Sequence, residues 1–190
     1  MRQVRYSVAM SLDGYIAGPN GEADWIVMDP AIDFAAIFNQ FDTFLIGRRT
    51  FEPMARVKQK STPGIKTFVF SRTLRQKDYP KVTVVADRAA ETVSALKQES
   101  GKDIWLFGGG SLFRSLLADN LVDKVEVAVM PVLLGGGIPL IQPPAVQTKL
   151  RLTSHKIYPS GIVRLEYAVE KGLAVQKGIR EKAKGRTKAR

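Results

Sequence analysis

Three segments place glycine, arginine and hydroxyl residues directly behind an apolar run, a pattern suited to a strand end that meets an anion. The first is Gly47-Arg48-Arg49-Thr50-Phe51-Glu52, behind a buried-strand run at residues 43–46. Two adjacent arginines suit a dianionic phosphate, which their planar forks grip through paired hydrogen bonds. Arginine at a helix start is unfavourable unless an anion offsets it, which weakens the alternative of a solvated helix end. The second is Gly108-Gly109-Gly110-Ser111-Leu112, behind Trp105-Leu106-Phe107. Three glycines let the backbone pass close to a ligand, and a following helix start, with Ser111 placed to cap it, favours phosphate. A tight structural turn accounts for the same glycines, and the run is neither a GxGxxG fingerprint nor a P-loop. The third is Ser71-Arg72-Thr73, behind Phe68-Val69-Phe70. Together the three describe one extended polyanion lying across successive strand ends, such as a dinucleotide with an extra ribose phosphate.

The elements that would position these groups alternate along the chain. Short apolar runs at residues 5–10, 43–46, 67–70, 82–85, 104–107 and 125–129 read as strands, as do Leu150–Ile157 and Val163–Val169. Helical patterns fall between them, at residues 30–40 with Asp29 as cap, at Ala89–Gln98, and at residues 111–117. Gly18-Pro19-Asn20-Gly21 is a turn. Strands alternating with helices predict a mostly parallel sheet covered on both faces. The last strands have no helices between them and predict antiparallel additions at one edge. In open sheets of this kind ligands bind at the carboxyl ends of the strands, where all three segments lie.

Composition narrows the function classes. A chain of 190 residues with 45% apolar content fits one domain with a full core. No apolar run approaches the roughly 18 residues of a membrane helix, and the first residues read as a strand rather than a signal peptide. There is no cysteine, which excludes disulfides, thiolate metal sites and cysteine nucleophiles, and fits a cytoplasmic protein. The single histidine, His155, excludes a histidine metal cluster and reads as a surface or edge residue, so no metal site is expected. Much of the +11 formal charge sits in the last 20 residues, which hold eight basic residues and one acid. Residues 1–170 then read as the domain and 171–190 as a basic, flexible tail. Such a tail binds polyanions without sequence preference, but the body lacks the aromatic stripe that stacks bases, so specific nucleic-acid binding is not expected.

At the three segments the sequence resembles the dihydrofolate reductase-like superfamily, in its Gly-Arg-x-Thr-Trp/Phe-Glu segment and in its glycine-rich loop and helix. Two further stretches, Ala9-Met10-Ser11-Leu12-Asp13-Gly14-Tyr15-Ile16-Ala17 and Pro131-Val132-Leu133-Leu134-Gly135-Gly136-Gly137, resemble the branch that contains the reductase domain of the bacterial riboflavin-biosynthesis protein. The resemblance covers roughly residues 2 to 170. It implies an α/β three-layer fold with a mixed central sheet and helices on both faces. It also implies NADPH as cofactor, hydride transfer to a small heterocyclic molecule, and a homodimer as the plausible assembly. Arg48 would hold the 2′-phosphate, with Arg49 and Thr50, behind Gly47, at the pyrophosphate and Ser71 and Arg72 flanking the adenosine. Gly108 and Gly109 would form a cis peptide beside the cofactor. Gly110, Ser111 and Leu112 would open the phosphate-facing helix, and Ala9 would border the nicotinamide.

Folate reductases carry an acid early in the first helix, and Asp33 is the nearest match here, with Asp29 as rival. Asp13 sits in an Asp-Gly turn that needs no chemistry, and Trp25 suits either a lid over the substrate or core packing. The acidic pair usual in the riboflavin branch after the matching Thr is replaced by Phe51-Glu52-Pro53-Met54. The implied activity is that of a 5-amino-6-(5-phosphoribosylamino)uracil reductase, with a dihydrofolate or pterin reductase as alternative. The alternatives of another class are a non-catalytic nucleotide-binding protein and a polyanion binder acting through the tail.

Overall fold

The computed structural model describes residues 1–56 and 64–171. Among these residues, ten strands and four α-helices follow one another as β1 (Val4–Ser11), β2 (Tyr15–Ala17), α1 (Phe34–Phe38), β3 (Phe41–Gly47), α2 (Arg48–Arg56), β4 (Lys66–Phe70), β5 (Thr83–Val85), α3 (Ala89–Gln98), β6 (Asp103–Gly108), α4 (Gly110–Ala118), β7 (Lys124–Met130), β8 (Ile138–Pro139), β9 (Leu150–Ile157) and β10 (Val163–Val169). Eight of the strands form one sheet in the order β5-β4-β3-β6-β1-β7-β10-β9, while β2 pairs with β8. The strands from β5 to β7 run parallel. The β9/β10 hairpin then joins antiparallel at one edge, as the helix-free end of the sequence predicts.

Side-chain alternation on each strand sorts the core into two layers. Val4, Tyr6, Leu45, Ile104 and Leu106 point to one face, where they meet Val93 and Leu96 of α3 and Phe113 and Leu116 of α4. Phe44, Ile46, Trp105 and Val69 point to the other, towards Ile37 and Phe38 of α1 and Phe51 of α2. Tyr6 and Phe113 stack with ring centroids 3.9 Å apart, and the Tyr6 hydroxyl donates to the Leu140 carbonyl at 3.2 Å. Burial pushes the Tyr6 hydroxyl above its ordinary pKa, so the donor stays protonated. The result is the expected three-layer α/β arrangement, a mixed sheet with helices on both faces. No helix among the described residues is long and apolar enough to cross a membrane.

One expected element is corrected. The helix predicted over residues 30–40 with Asp29 as cap is only Phe34–Phe38, capped by Asp33, whose Oδ1 accepts from the Ala36 N–H at 2.9 Å. Asp29 instead forms a separate turn. Its Oδ1 takes the Ala31 N–H at 2.8 Å and its Oδ2 the Ser160 N–H at 3.1 Å. A side chain that can satisfy backbone donors locally competes with helix extension, and here it ties the chain to the β9/β10 turn. Apart from Lys171, the basic tail lies outside the described residues. His155 is exposed on the edge strand β9, as expected.

The far end of the sheet is closed by charge. Asp123, which precedes β7, accepts the Val4 N–H at 2.8 Å and pairs with Lys97 and Lys171. Burial alone would raise its pKa, but the hydrogen bonds from Lys171, Lys97 and Val4 outweigh that and hold it below the ordinary value of 3.8. A carboxylate depressed in the folded state stabilises it at neutral pH. That stability is lost as pH falls through 3.8 and then through the lower folded value. Urea unfolding midpoints should therefore drop from pH 6 to pH 3, and Asp123→Asn should flatten that drop. An unchanged slope in the variant would rule out Asp123 as its source.

Candidate active site at the strand ends

Parallel pairing aligns the carboxyl ends of β3, β4, β5 and β6 along one edge of the sheet. Gly47 stands opposite Phe70, Phe70 opposite Val85, and Ile46 opposite Gly108. Adjacent strands lie about 4.8 Å apart, so segments distant in sequence become neighbours. A cavity of about 520 Å³ opens there, lined by Arg48, Ser71, Arg72, Thr73, Asp87 and Arg88 among others. Three guanidinium groups against one carboxylate make this an anion-seeking site.

Each lining group is held by its element. Arg48 opens α2 directly after β3, and its Nη1 donates to the Thr73 hydroxyl at 2.8 Å. Glu52, one turn along α2, stands 3.9 Å from Arg48 Nε. Ser71 Oγ accepts the N–H groups of Thr73 at 3.2 Å and Leu74 at 3.0 Å, which folds the chain back after β4 and presents Arg72 to solvent. Arg88 takes a left-handed conformation, φ 51°, immediately before α3. Arg49 is exposed beside this cavity's Arg48 and does not line it.

The glycine loop lies one strand further in. The Gly108–Gly109 peptide is cis, and Gly108 has φ 138°, a region that favours glycine. The Thr50 hydroxyl closes on this pair, since a Cβ on Gly109 would lie 3.4 Å from Thr50 Oγ1. A Cβ on Gly47 would lie 3.5 Å from the Gly108 carbonyl oxygen. Helix α4 begins at Gly110 with Gly109 as its cap residue and no side-chain capping bond. Ser111 is therefore inside the helix, which corrects its expected capping role; its carbonyl accepts from the Ser115 hydroxyl at 3.2 Å. The N–H groups of Gly110 and Ser111 have no intrahelical acceptor by helix geometry and remain available to an anion. Leu112 turns its side chain into the core, and its N–H is taken by the Gly109 carbonyl at 3.0 Å. Gly110 is packed against the β8 segment: an added Cβ would sit 2.9 Å from the Pro139 carbonyl oxygen. Gly110→Ala should therefore cost about 1–3 kcal/mol of stability, read from denaturant unfolding; a neutral outcome would mean that this approach relaxes freely.

Two loops wall the other side. The Asp13 carboxylate accepts the Ser11 hydroxyl at 2.6 Å, the Leu134 N–H at 3.1 Å and the Gly135 N–H at 2.7 Å. The Ser11 bond first, and the two N–H groups with it, hold the Asp13 pKa below its ordinary value. Asp13 thus fastens the loop after β1 to the loop after β7. Trp25 donates its indole N–H to the Glu22 carbonyl at 3.0 Å and packs with Ile26 and Ile32 against Met130 and Tyr158. Ala9 is half-buried on β1, opposite Ala128 of β7. Asp33 is exposed at the start of α1, away from the 520 Å³ cavity. Asp87 and Arg88 were missed in the sequence, although they follow the β5 run just as Ser71-Arg72 follows β4.

A family model described as the RibD C-terminal domain matches residues 2–164. The chain belongs to that family. The uncharacterized protein YyaP of Bacillus subtilis (strain 168) is 35% identical over 178 residues, spanning 87% of this chain and 94% of YyaP. Among solved structures, the Thermotoga maritima diaminohydroxyphosphoribosylaminopyrimidine deaminase/5-amino-6-(5-phosphoribosylamino)uracil reductase superposes with a TM-score of 0.67 at 16% identity, covering 89% of this chain and 57% of that one. An Enterococcus faecalis dihydrofolate reductase complexed with NADP(H) gives 0.65 at 18% identity, covering 88% and 96%. At such identities these two structures establish the shared fold, which the RibD C-terminal family and dihydrofolate reductase have in common here.

Proposed function

We propose that this RibD C-terminal domain protein is a reductase that binds NADPH and passes its hydride to a small nitrogen heterocycle. The observation that carries this reading is the cavity lined by Arg48, Arg72 and Arg88 at the same sheet edge as the glycine pair. An ordinary dinucleotide does not require three arginines around its adenosine end, whereas a ribose 2′-phosphate does reward them. The residues present fit the cofactor in kind. Arg48, Ser71 and Arg72 would hold the phosphorylated ribose. Arg49, Thr50 and the free N–H groups of Gly110 and Ser111, which open α4 ahead of Leu112, would face the pyrophosphate. Gly47, Gly108 and Gly109 leave the backbone bare where the cofactor must pass, and Ala9 leaves room for its nicotinamide.

When bound, the cofactor supplies the hydride; the protein's part is to orient it, exclude water and position the acceptor. The Asp13 clasp keeps the two loops beside the nicotinamide side in register. Asp33, with its Oδ1 committed to capping α1, stands as a solvent-side acid for the substrate. The family name and the Thermotoga maritima relative support an acceptor of the phosphoribosylaminopyrimidine type. The test is a fluorescence titration with NADPH and NADH side by side. Saturable binding with a preference for NADPH is expected; absence of saturable binding by either would sink the reductase reading.

A further inference from the structure

The reductase reading leaves the substrate's own anchor unassigned, and the sheet supplies a buried acid for it. Glu126 lies in the middle of β7, with only 2% of its surface exposed. Its Oε1 accepts from Arg5 Nε at 2.6 Å, but its Oε2 is buried and has no hydrogen-bond partner among the described residues. Arg164 Nη2 stands 3.7 Å from it, an ion-pair distance beyond hydrogen-bond reach, and is bonded to Glu166 at 2.9 Å. A buried carboxylate oxygen without a hydrogen bond is costly, so it points to a missing donor.

The surroundings fit a small flat ligand. Glu126 is opposite Ser7, and two residues on Ala128 is opposite Ala9. β1 and β7 are interior strands of the eight-stranded sheet, yet Ser7, Ala9 and Ala128 are all partly exposed. Interior strands have no free edge, so this exposure opens through the face of the sheet. Ser7, Ala9 and Ala128 present small side chains on that face beside Glu126, with Ala9 and Ala128 bordering the Met130 and Tyr158 cluster that Trp25 covers.

We propose that Glu126 anchors the substrate: its Oε2 accepts a ring N–H of a nitrogen heterocycle lying over Ser7, Ala9 and Ala128. Arg5 holds the other oxygen and fixes the carboxylate. Arg164, whose side chain is 22% exposed, turns aside with Glu166 to admit the ring. This rests on the reductase reading, and the test separates the two.

The full chain is loaded with NADPH and titrated with 5,6-diaminouracil and with its 1,3-dimethyl derivative, which has no ring N–H. Wild type should bind the first about 10- to 100-fold more tightly, the range of a hydrogen bond to a charged group. Glu126→Gln, which keeps shape but removes the charge, should lose that preference while its NADPH affinity is unchanged. Glu170→Gln, at an exposed position just after β10, should behave as wild type. Equal binding of the two uracils by wild type, no binding of either, or an undiminished preference in Glu126→Gln overturns the proposal. The comparison of the two uracils stands on wild type alone if the variant fails to fold. Failure of NADPH itself to bind would instead strike the reductase reading.

Discussion

Removing the guanidinium groups of Arg48 and Arg72 together should weaken NADPH binding about 100- to 10,000-fold and leave NADH nearly unaffected. Each charge-assisted hydrogen bond to a phosphate contributes about 1.5–3 kcal/mol, and every 1.4 kcal/mol is roughly tenfold in affinity. Arg48 is directed into the cavity by its bond to Thr73, and Arg72 by the turn that Ser71 organises. Both side chains have solvent access, so their loss should leave the melting temperature almost unmoved. Arg48→Ala and Arg72→Ala alone should fall between wild type and the double variant. Thr73→Val, which frees Arg48 without removing its charge, should cost less than either. Equal affinities for NADPH in the double variant and wild type would place the ribose phosphate elsewhere.

Leu106→Ala should destabilise the protein by about 3–4 kcal/mol. Leu106 is fully buried in β6, the strand that delivers the glycine pair, and packs in the layer between the sheet and helices α3 and α4. Truncation there removes buried methyl groups and leaves a void that flanking strands on both sides cannot close. For a chain of this length the cost should lower the melting temperature by about 10 °C. Leu133→Ala is the matched control, because Leu133 is 69% exposed and should shift stability by less than about 0.5 kcal/mol. NADPH affinity of the folded Leu106→Ala protein at 25 °C should stay close to wild type, since its lining residues are untouched. A loss below about 1 kcal/mol would contradict the packing of this layer.

The two strands of the edge hairpin and helix α3 are readable because their signal is local. Leu150–Ile157, Val163–Val169 and Ala89–Gln98 coincide with the sequence reading to the residue. The helix expected over residues 30–40 is shorter because Ile32 packs from a loop against Met130 and Tyr158, and because Asp29 satisfies its neighbours without a helix. The two-residue strand β8 is too short to have any periodicity, and it exists only because β2 is there to pair with it. The arginines at residues 48 and 72 were visible as strand-end charges, whereas Arg88 required knowing that β5 ends beside β4.

The α/β class, the alternation that sorts two apolar layers, and the three segments whose glycines, arginines and hydroxyls favour an anion are all legible in the order of residues. These follow from side-chain chemistry and from periods of two and 3.6 residues, which are properties of neighbours along the chain. Which strand ends share one cavity, that Thr50 closes on Gly109, and that Ser111 lies inside its helix rather than capping it emerge with the assembled fold. It also exposed Glu126, which reads in sequence as an ordinary charge in a strand. Strand order, register and burial are set by contacts between residues as much as 134 positions apart. A carboxylate's lack of a hydrogen-bond partner is defined only once those contacts exist.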